Sequence, residues 1–210
     1  MKQPRVSVVF PEQHDETASA LGRAFINDPP FKAILPDVSD PIERARRLTE
    51  LFRAALTIQR RMGEPVLGVL DSSKVVAAAV IAGTSPMSNA SLIAFGLPRM
   101  AQVIRAIGWG GVRRSLELTD VLAKNHPPER HIYLNFLGVD PVHQRKHYGR
   151  ALLTHLRELA LEREDLEGVY LETSTEENVA YYSSQDYRTL GEIKPLGVRM
   201  WRMFQPKTRP

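Results

Sequence analysis

Val139-Asp140-Pro141-Val142-His143-Gln144-Arg145-Lys146-His147-Tyr148-Gly149-Arg150-Ala151-Leu152-Leu153 joins a strongly apolar run, Ile132 to Val139, to an amphipathic run that starts near His147. The pattern predicts a strand, a short basic turn and then a helix. The first turn of a helix has backbone N–H groups without intrahelical partners, and its dipole favours an anion there. Arg145, Lys146 and Arg150 place positive charge where a helix start disfavours it, a mismatch that an anionic ligand resolves. Gly149 removes a Cβ where a backbone or ligand can approach closely. The local physics points to a phosphorylated ligand.

The same stretch resembles the acyl-CoA-binding motif of the GNAT N-acetyltransferase superfamily, Gln/Arg-x-x-Gly-x-Gly/Ala. Gln144 and Gly149 match it, while His147 stands at the first motif glycine and Arg145 at a position often occupied by glycine. A second block, Asn178-Val179-Ala180-Tyr181-Tyr182-Ser183-Ser184-Gln185-Asp186-Tyr187, is similar to the family's Asn-x-x-x-Tyr-x-x-x-Gly-Phe segment. Asn178 and Tyr182 match; Asp186 and Tyr187 replace Gly-Phe. Asp tolerates a left-handed turn better than most non-glycine residues. Within the superfamily the chain looks most like the puromycin-N-acetyltransferase-like group, through Asn27-Asp28-Pro29-Pro30, His126-Pro127-Pro128 and Leu171-Glu172-Thr173-Ser174.

The resemblance implies an α/β (α+β) fold: a central mixed sheet of six to seven strands, flanked by helices, with splayed central parallel strands. It implies acetyl-CoA as acyl donor, with CoA as product, and direct transfer to a primary amine of a small molecule or of a protein in a ternary complex. The backbone N–H groups of Arg145, Lys146, His147, Tyr148, Gly149 and Arg150 would hold the pyrophosphate, with Gln144 shaping the turn. Leu137, Gly138 and Val139 would meet the pantetheine arm, and Gly138 suggests close backbone approach there. Tyr182 would be the general acid, and Asn178 would position the cofactor or cap its helix. Glu172 is the leading general base, since Asn135 on the central strand cannot take that role alone. Tyr181 is offset from the motif and is expected in the core. Asp28, Phe31, Trp109 and Asn135 are the acceptor-side candidates, with Phe52 and Met100 as further apolar lining. For each of these the competing use is ordinary packing. A catalytically inactive CoA-binding regulatory or interaction module is the alternative reading of the same fold.

Length and composition bound the rest. A chain of 210 residues reads as one domain, 1–210, with a helical insertion at about 98–125 broken around Gly108-Trp109-Gly110-Gly111. A hydrophobic content of 43% with 25% charged residues is that of a water-soluble globular protein. The basic start Met1-Lys2-Gln3-Pro4-Arg5 lacks an apolar run of signal-peptide length, and no stretch is long enough to span a bilayer. Cysteine is absent, which excludes disulfides, thiolate metal sites and a cysteine nucleophile; cytoplasmic residence is the expectation. The histidines show no trusted metal spacing, so no metal is expected. A net charge of +4 spread along the chain, without a basic stripe interleaved with aromatics, argues against nucleic-acid binding. The expected partner is a small-molecule amine, and the resemblance allows a homodimer.

Alternation predicts strands at Arg5 to Phe10, Val66 to Leu70, Val75 to Ala82, His131 to Val139 and Gly168 to Thr173, then a closing pair, Tyr187 to Ile193 and Val198 to Phe204. Helices are predicted over 15–26, 40–61, 149–163 and 176–185, with consecutive prolines at Pro29-Pro30 ending the first.

Overall fold

A computed structural model describes residues 4–83 and 97–207; the first three residues of the basic start lie outside them. Among the described residues, seven strands form one sheet: β1 (Val6–Val8), β2 (Val66–Asp71), β3 (Lys74–Ala82), β4 (His131–Val139), β5 (Gly168–Thr173), β6 (Arg188–Ile193) and β7 (Met200–Pro206). Their order is β1-β2-β3-β4-β5-β7-β6, and β4–β5 is the parallel pair while the other neighbours run antiparallel. The helices are α1 (His14–Ala24), α2 (Pro29–Ile34), α3 (Pro41–Arg61), α4 (Met100–Lys124), α5 (Tyr148–Glu162) and α6 (Glu176–Ser183).

The β2–β3 hairpin turns at Ser72 and Ser73, both at positive φ, as a tight two-residue connection requires. On one face of the sheet α5 buries Leu152, Leu153, Leu156 and Ala160 against strand residues such as Val69, Leu134 and Leu171. On the other, α1, α2 and α3 bury Leu21, Phe31, Leu48 and Phe52 against Val66, Ala78 and Val80. The insertion helix α4 lies over this second layer: Arg114 Nη2 donates to the Ile34 carbonyl at 2.9 Å, and Gln102 Nε2 donates to Glu50 Oε2 at 3.2 Å.

The prolines at 29 and 30 correct one expectation. α1 already ends at Ala24, and the prolines open α2, occupying its first turn, where their missing N–H groups cost nothing, while Asp28 caps by accepting from Phe31 N. The same device opens α3, where Asp40 accepts from Ile42 N and Glu43 N ahead of Pro41.

Two irregularities of β4 shape the centre of the molecule. Val80 pairs with Phe136 and Ile81 with Leu134, so Asn135 is an extra residue, a bulge, on β4. The bulge inverts side-chain parity: Ile132 and Leu134 join the α5 layer, Phe136 joins the α1–α3 layer, and Leu137 and Val139 return to the α5 side. The parallel ladder with β5 also stops there. It runs from His131↔Gly168 to Leu134↔Leu171 and no further, so β4 and β5 diverge at their C-terminal ends.

Candidate active site

The divergence opens into a cavity of about 340 Å³ that passes from the β4–β5 cleft to the space beneath α4. Leu137, Asn135, Glu172, Ser174, Asn178 and Tyr182 line its sheet end. From Asn135 onward β4 has no rung to β5, so among the described residues one edge of its backbone there lacks a strand partner.

Glu172 is on β5, directly opposite Arg202 of β7. Burial pushes its carboxyl up to about 7, against the pull of Tyr170, Tyr133 and Arg202. Neither Glu172 Oε1 nor Tyr170 Oη has a partner with hydrogen-bond geometry among the described residues. Arg202 is committed elsewhere, its Nη1 donating to the Asn125 carbonyl at 2.8 Å. Asp28 reaches the same cavity from the start of α2. Ser174 Oγ donates to its Oδ2 at 3.2 Å, and burial raises its pKa to about 6.

Tyr182 is only 8% exposed and lines the cavity; burial first, then Tyr181 and Asp28, raise its phenol well above the usual value. It therefore keeps its proton throughout the neutral range. Tyr181 corrects an expectation: it is 36% exposed on α6, and its hydroxyl stands 3.1 Å from where a Cβ of Gly149 would sit. It covers the start of α5 instead of packing in the core. Thr175 caps α6 by accepting from Asn178 N at 3.2 Å, so Asn178 does not cap its own helix.

The loop between β4 and α5 has the shape that its sequence puts in question. Arg145 and His147 stand at φ 62° and 63°, the left-handed region that glycine enters freely. Left-handed His147 followed by the helical Tyr148 turns successive N–H groups to one side, a nest for an anion. Among the described residues no side chain caps α5, and its first turn holds no acidic residue. These features fit a polyphosphate. Asp186, at the other glycine position, likewise takes φ 66° and accepts from Arg157 Nη1 at 3.2 Å.

Side chains divide the labour around this loop. Asp71, at the end of β2, accepts from Tyr148 Oη at 2.9 Å and from Lys146 Nζ at 3.3 Å. Arg145, Lys146 and Arg150 are all exposed, and Lys146 is turned to Asp71. Gln144 Nε2 donates to the Val139 carbonyl at 3.4 Å, closing the turn. Buried Asp140 accepts from Arg23 Nε at 3.0 Å and from Val142 N at 3.3 Å, fixing the loop's base to α1. Asp71 and Asp140 escape sequence reasoning because their partners lie far along the chain; only Asp140-Pro141 carries a local signal, that of a cap.

At Gly138 the close approach is made by α1 and the residue that follows it. A Cβ there would lie 2.8 Å from Leu21 Cδ2 and 3.1 Å from Ala24 Cβ and Phe25 Cε2. The glycine admits α1 against the sheet, so its missing side chain is explained without a ligand. Phe31 and Asn135 line the cavity, as do Phe52 and Met100. Trp109 does not: it is 71% exposed, because Gly108 at φ 67°, ψ 170° breaks α4 just before it and turns the indole outward.

Among the described residues no cluster of three or more metal-ligating side chains occurs, and no helix is long and apolar enough to cross a membrane.

Residues 101–187 match the family model of the acetyltransferase (GNAT) family. Solved structures similar to the whole chain include one described as histone acetyltransferase HPA2 and related acetyltransferase from Corynebacterium glutamicum. It is 22% identical with a TM-score of 0.70, covering 100% of this chain and 99% of that one. The polyamine N-acetyltransferase of Drosophila melanogaster is similar at 13% identity and a TM-score of 0.61, over 96% of this chain and 98% of that one. A GNAT-like decarboxylase, GphF, in complex with isobutyryl-CoA matches at 12% identity and a TM-score of 0.57, over 97% of this chain and 100% of that one.

Proposed function

We propose that this chain, a GNAT-superfamily fold with acetyltransferase-family sequence over residues 101–187, transfers the acetyl group of acetyl-CoA directly to a primary amine of a small molecule. The observation that carries the reading is a raised carboxyl at Glu172 and a protonated phenol at Tyr182 in one cleft, with an anion nest at the start of α5 whose Gly149 lies against Leu137 of the lining.

Acetyl-CoA supplies the activated acyl group and a thiolate leaving group. The N–H groups of residues 145–150 would hold its pyrophosphate, with Arg145 and Arg150 adding charge, and the unpaired edge of β4 at Leu137 to Val139 would receive the pantetheine amides. Glu172, ionised near neutrality, takes a proton from the ammonium so that the amine nitrogen can attack the thioester carbonyl. As the C–N bond forms and the C–S bond breaks, Tyr182 would give its proton to the departing sulfur and take up the second proton of the attacking nitrogen, leaving a neutral amide, the thiol and a restored phenol. Asp28 and Asn135 orient the amine beside Glu172. Holding both reactants in one cleft supplies much of the acceleration.

Against the alternative of an inactive CoA-binding module, His147 and Asp186, which depart from the motif, both stand in the left-handed region that glycine enters freely, at φ 63° and 66°. Calorimetric titration with acetyl-CoA, followed by an amine screen for thiol release, tests the proposal. Micromolar binding with amine-dependent release is expected; absence of binding at high ligand concentration overturns it.

A further inference from the structure

The cavity has two chemically distinct ends. Among the described residues, Asp28 and Glu172 are the only carboxylates that line it, and no lysine, arginine or histidine does. Both face the same place: Glu172 and Ser174 are two apart on and just beyond β5, about 7 Å by strand geometry, and Ser174 Oγ holds Asp28.

Beyond this acidic end the walls are neutral. Phe31, whose N–H bonds Asp28, joins Phe25, Phe52 and Phe136 in a cluster with ring centroids 5.3 to 6.0 Å apart. From the opposite side α4 contributes Val103, Val112, Leu116 and Leu122, with Ser115 and Thr119 as its only polar lining residues.

We infer that the acceptor is an apolar monoamine, an alkyl- or arylalkylamine, whose ammonium meets Asp28 and Glu172 and whose uncharged body lies between the phenylalanine cluster and α4. This rests on the acyl-transfer reading above and narrows it. A diamine of the same length would push its second ammonium against a wall with no carboxylate, a costly burial of charge. An amino acid would bring a carboxylate to Asp28 and Glu172 with no cation to receive it. The cavity selects against both by leaving their second charge unpaired.

Thiol release from acetyl-CoA is measured with matched pairs: hexylamine against 1,6-diaminohexane, and phenethylamine against phenylalanine. The monoamine of each pair should be favoured by at least about 100-fold in kcat/KM. Ser115→Asp and Thr119→Asp, which place a carboxylate on the α4 wall, should each narrow the hexylamine preference about tenfold or more by raising turnover of the diamine. Equal or reversed preference with thiol still released overturns the inference and leaves acyl transfer standing. Binding of acetyl-CoA without turnover of either monoamine also overturns it. Failure to bind acetyl-CoA overturns the acyl-transfer reading itself.

Discussion

Glu172 stands directly opposite Arg202 across the β5–β7 ladder, yet the guanidinium does not keep the carboxyl ionised at ordinary carboxylate pH: burial raises it from 4.5 to about 7. A base of this kind works only when deprotonated, so kcat/KM should rise with pH and level off above an inflection near 7. Glu172→Gln should abolish that inflection and lower kcat by roughly 10²–10⁴. The stability effect has the opposite sense. The folded state holds the proton more tightly than the unfolded chain, so the group's contribution is full below pH 4.5 and lost as pH rises through about 7. Relative to the native protein, Glu172→Gln should therefore gain up to about 3 kcal/mol across that window, read from urea unfolding at pH 5 and pH 8.

The adjacent tyrosines should separate by kinetic parameter. Tyr182→Phe removes the buried proton donor and should lower kcat by roughly 10²–10⁴ with acetyl-CoA affinity little changed. Tyr181→Phe removes the hydroxyl beside Gly149 and should raise the KM for acetyl-CoA while sparing kcat. The reverse pattern would transfer the acid role to Tyr181.

His147→Gly tests the strain in the anion loop. An L-residue in the left-handed region costs roughly 1–2 kcal/mol, and a glycine's extra freedom when unfolded offsets roughly half of that. The expected outcome is a protein more stable by up to about 1 kcal/mol that binds acetyl-CoA at least as tightly. Lower stability would mean that His147 makes compensating interactions.

Gly108→Ala should act on the acceptor alone. Its φ 67°, ψ 170° belongs to a region almost closed to other residues, so alanine forces the break in α4 to re-form elsewhere. Because the second half of α4 walls the cavity, the KM for the amine should rise several-fold while acetyl-CoA affinity holds. Parallel losses of both affinities would indicate general destabilisation.

Local signals carry much of this architecture. The strand–loop–helix around Gly149, the hairpin at Ser72-Ser73 and the left-handed turn at Asp186 each follow from a short stretch of residue types. The start of α2 was equally legible, since Asp28-Pro29 repeats the signal at Asp40-Pro41, but two prolines in a row read more readily as a stop. The bulge at Asn135 was not. Residues 131–139 are apolar on both faces, so a one-residue change of parity leaves no trace in their alternation. That hidden change decides that Gly138 faces α1 and Leu137 the cleft. The pairings of Asp71 with the anion loop and of Asp140 with Arg23 depend on tertiary approach and have no local signature.

The four-rung ladder from His131↔Gly168 to Leu134↔Leu171 also has a mechanical consequence. The strands β1–β4 and β5–β7 are two plates joined along one short seam, and the seam ends where the cleft begins. A force that separates the plates concentrates at that last rung, as at the tip of a crack. A molecule bonded to both plates within the cleft carries part of the load and blunts the tip, so the rupture force measured across the seam would itself report occupancy.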